Sequence, residues 1–166
     1  MDVITGKTRP DSGTVLFGAS TDLTRLDEAD IAELGVGRKF QKPTIFEGHT
    51  VEDNILLALK QPRGVFDTLF ARMSSEITDR IDEILATIRL THLRKASGDS
   101  LSHGQKQWLE IGMLLAQDPK LLLVDEPVSG MTDAETAETA RLLREISENH
   151  SVVVVEHDME FVRDLG

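Results

Sequence analysis

The sequence predicts an α/β fold with a parallel sheet, and three features of its second half support this prediction. Residues 120–124 and residues 151–155 each contain four consecutive apolar residues, which is typical of parallel strands covered on both faces. Residues 133–148 lie between them and carry apolar side chains on one side of a predicted helix: Ala137, Ala140, Leu143 and Ile146. A last helix is expected from about residue 158. Strand, helix, strand and helix in this order indicate a parallel sheet with right-handed connections.

The first third of the chain predicts shorter elements. Residues 8–13 are rich in turn-forming residues and precede a short apolar strand at residues 14–17. Residues 28–34 are consistent with one short helix, and residues 35–41 with a strand that leads into a loop.

A helical insert is predicted between about residues 50 and 100. Thr50 is a good N-cap for a helix that continues to residue 59. Residues 77–88 carry isoleucine and leucine at the spacing of one face of an amphipathic helix. A further helix is expected over residues 104–116, immediately before the first long apolar strand.

The composition of the 166 residues excludes several classes of function. The chain has no cysteine, which excludes disulfides, thiol nucleophiles and zinc sites with cysteine ligands. Its formal net charge of −11 makes nucleic acid an unfavourable primary partner, because an acidic surface repels phosphate backbones. No apolar run approaches the roughly 20 residues that span a bilayer, and the start has no signal-peptide pattern. These features predict a cytoplasmic protein.

Two acidic residues follow the first long apolar strand. Asp125 and Glu126 are expected at the carboxyl edge of the sheet, where α/β proteins bind ligands. One carboxylate in such a position can serve Mg²⁺ through water, and the next can orient or deprotonate an attacking water. The alternative is a strand that ends in exposed acids at a turn, and this segment alone does not decide between them.

A possible anion site opens the helix before that strand. Ser102 is a good N-cap residue, and Gly104 allows a ligand to approach the backbone closely. The free N–H groups of a helix N-terminus bind anions. Taken alone, residues 101–105 are better explained as an ordinary helix cap.

The order of these segments resembles the ABC ATPase family. Residues 101–105 (Leu-Ser-His-Gly-Gln) are similar to its signature motif, and residues 121–126 are similar to its Walker B strand. Gln41 stands at the position of the Q-loop glutamine, Asp133 ends the D-loop segment, and His157 matches the H-loop histidine. The resemblance covers essentially the whole chain, and the wording of its motifs is closest to the urea and branched-chain amino-acid uptake branch.

The resemblance implies a P-loop NTPase-like (RecA-like) parallel-sheet core with an inserted α-helical ABC subdomain. The core would comprise residues 1–49 and 105–166 of a single truncated domain, 1–166, and the helical subdomain about residues 50–104. It also implies ATP and Mg²⁺ as cofactors, with a second ABC ATPase subunit and transmembrane permease subunits as partners. The chain would then lie on the inner face of the plasma membrane, held there by the permease.

The resemblance also implies a role for each matching residue. The implied catalytic residues are Glu126, as general base or water-orienting group, and His157, in contact with the γ-phosphate. Gln41 would serve Mg²⁺ directly and Asp125 through water. The implied nucleotide-binding residues are Gln41, Ser102, Gly104, Gln105 and Asp133. His103 replaces the usual first glycine of the signature, and we expect this change to be tolerated because the backbone and Ser102 face the nucleotide in the family.

One expected motif, the phosphate-binding P-loop, G-x-x-x-x-G-K-S/T, has no complete match. Gly13 and Gly18 have the glycine spacing, but Ala19 stands in place of the lysine. The segment Gly6-Lys7-Thr8 has the right ending, but Met1 stands in place of the first glycine. By resemblance, the chain is expected to begin just after the P-loop, and so to lack the P-loop strand.

Several expectations follow from that absence. The chain alone should not hydrolyse ATP, and its affinity for ATP should be weak. The strand at residues 152–155 should have an exposed edge through which the chain self-associates. The alternative functions are a non-catalytic pseudo-ATPase that binds and regulates a partner, and an ABC ATPase of DNA repair or chromosome maintenance. The absence of sustained heptads argues against the latter.

Overall fold

The computed structural model describes residues 1–39, 44–59 and 75–166. The strands are β1 (Leu16–Phe17), β2 (Thr21–Asp22), β3 (Val36–Lys39), β4 (Leu121–Asp125) and β5 (Ser151–Val155). The α-helices of the described residues are α1 (Glu28–Glu33), α2 (Val51–Ala58), α3 (Ser75–Thr87), α4 (His103–Leu115), α5 (Asp133–Ser147) and α6 (Met159–Leu165). Short 3₁₀ turns lie at Leu23–Arg25, Thr91–Leu93 and Gly98–Ser100.

The predicted parallel sheet is confirmed. Strands β3, β4 and β5 lie in that order, and both pairs are parallel. Asp125, the last residue of β4, is in register with Val155, the last residue of β5. Because all three strands run the same way, the residues that follow β4 and β5 emerge at one edge of the sheet.

The strand predicted at residues 14–17 is shorter than expected. Only Leu16–Phe17 forms β1, which pairs antiparallel with β2 in a separate two-stranded ribbon. The left-handed backbone of Gly18, with φ of +65°, turns the chain between the two strands.

One continuous buried cluster joins the helices of the predicted insert to the sheet. It contains apolar side chains from α2, α3, α4, β4 and α5. Helix α4 lies close to its neighbours at Gly112, where a Cβ atom would lie 2.6 Å from Ile88 Cδ1 and 3.0 Å from Ile55 Cδ1. A glycine at this position therefore lets α4 pack closely against the helices of the insert.

Helix α5 buries three of its four predicted residues and also buries residues that were not predicted. Ala140, Leu143 and Ile146 are buried as expected, but Ala137 is exposed and Thr139 is fully buried. The hydroxyl of Thr139 accepts a hydrogen bond from Trp108 Nε1 on α4 at 2.9 Å and donates to the Glu135 carbonyl at 2.8 Å. Because its polar atom is satisfied in this way, a threonine can occupy the buried face.

The helix starts are capped by side chains. Thr50 and Asp53 form a capping box at α2, as the prediction of an N-cap at Thr50 requires. Glu52, in the first turn of α2, is buried and forms ion pairs with Arg94 and Lys95. Those contacts fix the segment after α3 against α2. Among the helices of the described residues, none has the length and apolar character needed to span a bilayer.

Candidate functional site at the carboxyl edge of the sheet

The turn after β4 carries both predicted carboxylates. Asp125 is the last residue of the strand, and Glu126 follows it with a left-handed backbone, φ of +47°. The Glu126 N–H donates a hydrogen bond to the Val155 carbonyl at 2.9 Å, so the turn remains attached to β5. Left-handed conformations of residues other than glycine are strained and concentrate at functional sites.

Glu126 and His157 come together across the ends of β4 and β5. The distance between Glu126 Oε1 and His157 Nε2 is 3.6 Å. The imidazole is 84% exposed and the carboxylate 34%, so the space in front of them is open. A carboxylate and an imidazole this close to each other can both contact one water molecule in the open space in front of them, and the carboxylate can remove its proton.

Asp125 has a cationic neighbour, Arg38, on strand β3. Arg38 Nη2 lies 3.4 Å from Asp125 Oδ2, and Arg38 Nη1 donates a hydrogen bond to the carboxylate of Asp2. The bond from Arg38 lowers the pKa of Asp2. A carboxylate oxygen is the kind of ligand that suits Mg²⁺, and Arg38 is a competing positive charge beside it.

Ser102 caps helix α4, as the sequence predicts. Its Oγ accepts a hydrogen bond from the Gln105 N–H at 3.2 Å, and Gln105 Oε1 accepts one from the Ser102 N–H at 2.9 Å. This reciprocal pair is a capping box. It gives Gln105 a structural role in this conformation and leaves the Ser102 hydroxyl hydrogen for another acceptor.

That acceptor is Glu135, in the first turn of α5. Ser102 Oγ donates to Glu135 Oε1 at 3.2 Å, while Thr132 donates to Glu135 Oε2 from its N–H and its hydroxyl. Hydrogen bonds from the Thr132 N–H and hydroxyl lower the pKa of Glu135. A Cβ atom on Gly104 would lie 2.5 Å from Glu135 Oε1, so a larger residue at this position would displace the carboxylate.

His103 also contacts the loop after β4. Its Nε2 atom lies 3.0 Å from the Ser129 carbonyl oxygen and 3.2 Å from Gln107 Nε2. The start of α4 therefore contacts the loop after β4 through His103 and the first turn of α5 through Ser102.

The two remaining predicted site residues are Asp133 and Gln41. Asp133 is the first residue of α5 and is exposed. Gln41 lies outside the described residues, so its role stays a prediction. Within the described ranges, no group of three or more histidine, aspartate and glutamate side chains is arranged to hold a metal ion.

Sequence reasoning missed the contributions of Glu135 and Arg38. Glu135 had a readable signal, because Thr132 and Glu135 have the S/T-x-x-E spacing of a capping box. Arg38 had none, since its contact with Asp125 joins residues 87 positions apart and depends on the strand order.

Comparison with protein-family models matches residues 1–129 to the ABC transporter family. The branched-chain amino acid transport ATP-binding protein LivG of Escherichia coli is 33% identical over 172 residues, which cover 98% of this chain and 67% of LivG. The methionine import ATP-binding protein MetN of Mannheimia succiniciproducens is 35% identical, over 95% of this chain and 44% of MetN. The chain thus spans about two thirds of LivG and less than half of MetN.

Solved structures give the same result. A nucleotide-free ATP-binding cassette of an ABC transporter superposes with a TM-score of 0.79 at 26% identity, covering 99% of this chain and 67% of that one. The ADP conformation of another such cassette gives a TM-score of 0.79 at 27% identity, over 99% of this chain and 66% of that one. By sequence and by fold, the chain belongs to the ABC transporter family.

Proposed function

We propose that the chain is the ATP-binding subunit of an ABC importer for branched-chain amino acids or urea. The observation that carries the proposal is the convergence of Asp125, Glu126 and His157 at one edge of the sheet, with Glu126 and His157 only 3.6 Å apart. The name of the LivG relative supports the branched-chain solute, and the wording of the motifs favours the urea type.

In this proposal Glu126 accepts the proton of the attacking water, or orients it, and His157 fixes the water's position. Asp125 would hold Mg²⁺ through water and Gln41 would hold it directly. The ion would supply positive charge that neutralises the transferred phosphoryl group. The Ser102 hydroxyl and the first-turn amides of α4, at Gly104 and Gln105, bind the γ-phosphate of a nucleotide that the second subunit holds. Asp133 lies beside that nucleotide.

We further propose that these 166 residues by themselves do not hydrolyse ATP, because they contain no complete P-loop. Each hydrogen bond to a charged phosphate contributes about 1.5–3 kcal/mol, and a P-loop supplies several. The affinity of the isolated chain for Mg-ATP is accordingly millimolar or weaker. Calorimetric titration checks this, and micromolar binding would contradict it.

The partners in this proposal are a second ABC ATPase subunit and transmembrane permease subunits. In this proposal the chain consists of a core (1–49 and 105–166) and a helical subdomain (about 50–104). The helical subdomain contacts the permease, together with Phe46 of the core, which is 49% exposed. The chain then lies at the inner face of the membrane without entering it. The edge of β5 offers a further contact, between two copies of the chain.

A chimaera tests the catalytic assignment directly. We would place the strand and P-loop of the E. coli LivG relative in front of Met1, so that all 166 residues are joined to a phosphate-binding loop. Hydrolysis should appear, and Glu126→Gln should lower it by about 10²–10⁴-fold, the usual contribution of a general base. The matched control is Glu148→Gln, at the exposed end of α5. A chimaera that binds ATP and hydrolyses it equally well with and without the Glu126→Gln substitution would overturn the proposal.

A second experiment tests the role of Ser102 in trans. The unmodified chain is mixed with an intact ABC subunit, and the ATPase rate of the mixture is measured. Ser102→Asp keeps a capping oxygen at the helix start, although it loses the bond to Glu135. It places a negative charge where the phosphate would bind, so it should abolish any stimulation. The control, Ser147→Asp, puts the same charge at the far end of α5. If Ser102→Asp stimulates as well as the wild type, the signature has no part in a shared site.

A further inference from the structure

The imidazole of His103 lies between two polar groups that make incompatible demands on it. The Ser129 carbonyl oxygen lies 3.0 Å from Nε2, and a carbonyl oxygen can only accept a hydrogen bond. Nε2 must therefore carry a hydrogen. The Gln107 Nε2 atom lies 3.2 Å from the same nitrogen, and it too carries only hydrogens. Two donors cannot bond to each other.

The buried amide of Gln107 resolves this conflict. Gln107 is only 2% exposed, and its Oε1 has no hydrogen-bond partner among the described residues. Rotating the amide by 180° exchanges its oxygen and nitrogen, which have nearly the same shape. Oε1 then faces the His103 Nε2–H, and the Ser129 carbonyl and Gln107 Oε1 share that one N–H. The arrangement defines the Nε2–H tautomer of His103.

We infer that His103 is a positioning residue that fastens the loop after β4 to the start of α4. The loop is internally bonded, from the Met131 N–H to the Val128 carbonyl at 3.1 Å. It also lies against the imidazole, since a Cβ atom built on Gly130 would be in ordinary contact with His103 Cδ2, at 3.4 Å. Glu126 precedes this loop and Ser102 precedes His103, so the contact fixes two proposed site residues relative to each other. In this respect the inference rests on the proposed function.

This inference changes the expectation that a residue other than glycine at position 103 is simply tolerated. A glycine there has no side chain to reach Ser129, so the loop would lose this contact. The second contact, from Ser102 Oγ to Glu135 at 3.2 Å, involves the first turn of α5 and leaves the middle of the loop free. Of these two contacts, only the one from His103 reaches that middle part.

Two variants distinguish the contribution of the hydrogen bond from the contribution of ring packing. His103→Gln places an amide N–H near the position of Nε2, whereas His103→Phe keeps a ring of similar size without the N–H. Amide hydrogen exchange at Ser129 and Met131, measured by NMR on the full chain, should accelerate roughly threefold to tenfold in H103F. It should stay close to wild type in H103Q. Equal exchange in H103F and the wild type would overturn the inference, and so would equal acceleration in both variants.

The wild-type chain provides a test that does not depend on the folding of any variant. Two-bond nitrogen–proton spectra of the His103 ring distinguish the tautomers, and we expect a proton on Nε2. A neutral ring with its proton on Nδ1 alone would overturn the inference. Both readouts are taken without nucleotide, so they are independent of the proposed function. In the LivG chimaera, H103F should lower hydrolysis and H103Q should retain it; a chimaera that is inactive with a wild-type loop would count against the proposed function alone.

Discussion

Glu126 Oε1 and His157 Nε2 lie 3.6 Å apart, although 30 residues separate them along the chain. Parallel pairing of β4 with β5 brings the two strand ends together, and the Glu126 N–H bond to Val155 fixes the turn. The left-handed backbone at Glu126 is part of this arrangement, since it ends the strand immediately after Asp125. A residue in such a conformation costs about 1–3 kcal/mol.

The strained backbone at Glu126 predicts that a glycine variant at this position is more stable than an alanine variant. Glycine adopts φ of +47° without a steric penalty, whereas alanine does not. Glu126→Gly should therefore be more stable than Glu126→Ala by about 1 kcal/mol, even though glycine loses more conformational freedom on folding. Urea denaturation of both variants measures the difference. The matched pair at Asp118, which has φ of +51° away from the site, should behave in the same way. A more stable Glu126→Ala would show that the turn is not left-handed in solution.

The close approach of Glu135 to Gly104 predicts that Gly104→Ala destabilises the wild-type chain but stabilises a chain in which Glu135 is replaced by alanine. A Cβ atom on residue 104 would lie 2.5 Å from Glu135 Oε1 and 2.7 Å from Cδ. Gly104→Ala should displace this carboxylate, break its bonds to Ser102 and Thr132, and destabilise the chain by about 1 kcal/mol. In a Glu135→Ala background the obstacle is gone, and alanine should stabilise α4 slightly because it is the better helix former.

A double-mutant cycle by thermal or urea denaturation measures this coupling. Gly48→Ala is the control, since a Cβ atom there meets nothing within 4 Å. Additive effects of the two changes would mean that Gly104 and Glu135 do not touch.

The elements that could be read from the sequence are those fixed by neighbours along the chain. The caps at Thr50 and Ser102 each involve a partner three residues on, so their residue types are a direct signal. The long apolar strands and their order likewise follow from runs of valine and leucine. These local features are enough to predict the parallel sheet and the edge at which Asp125 and Glu126 emerge.

The features that could not be read depend on packing between distant segments. Thr139 is buried because Trp108 donates to its hydroxyl from another helix, and a periodicity argument treats threonine as a polar surface residue. The Glu135 bond to Ser102 spans 33 positions and requires α4 and α5 to meet at their N-termini. The left-handed backbone at Glu126 could not be predicted, because the residue there is not a glycine.

The buried carboxylate of Glu52 predicts how stability changes with pH. Hydrogen bonds from Arg94, at 2.8 Å, and from Lys95 lower the pKa of Glu52 from 4.5 to about 2. Its contribution to stability is therefore fully present above about pH 4.5 and is lost as the pH falls towards 2. Since one pKa unit corresponds to about 1.4 kcal/mol, the contribution is about 3 kcal/mol.

Glu52→Gln should remove most of this stability at pH 7 and flatten its fall between pH 4.5 and pH 2. Urea denaturation at a series of pH values measures both effects. The control is Glu83→Gln, because Glu83 is 66% exposed and pairs only with its helical neighbour Arg80 in the contacts described. It should cost less than about 0.5 kcal/mol. A Glu52→Gln variant as stable as Glu83→Gln would mean that the ion pairs are not formed in solution.

The free edge of β5 predicts self-association. In the described sheet β5 pairs only with β4, and Val153 and Val155 are each 41% exposed. An unpaired apolar edge without lysine or proline favours addition of another strand. In an antiparallel pair of two copies centred on Val153, the His150 imidazole of one would oppose the Glu156 carboxylate of the other, a favourable combination.

Light scattering over a range of concentrations should therefore show dimers or larger species. Val153→Lys, which adds a charge to the strand, should restore the monomer, while Val162→Lys, an equally exposed valine on α6, should not. A wild-type chain that stays monomeric at every concentration would refute the pairing, and an equal response to both lysines would assign the association to net charge.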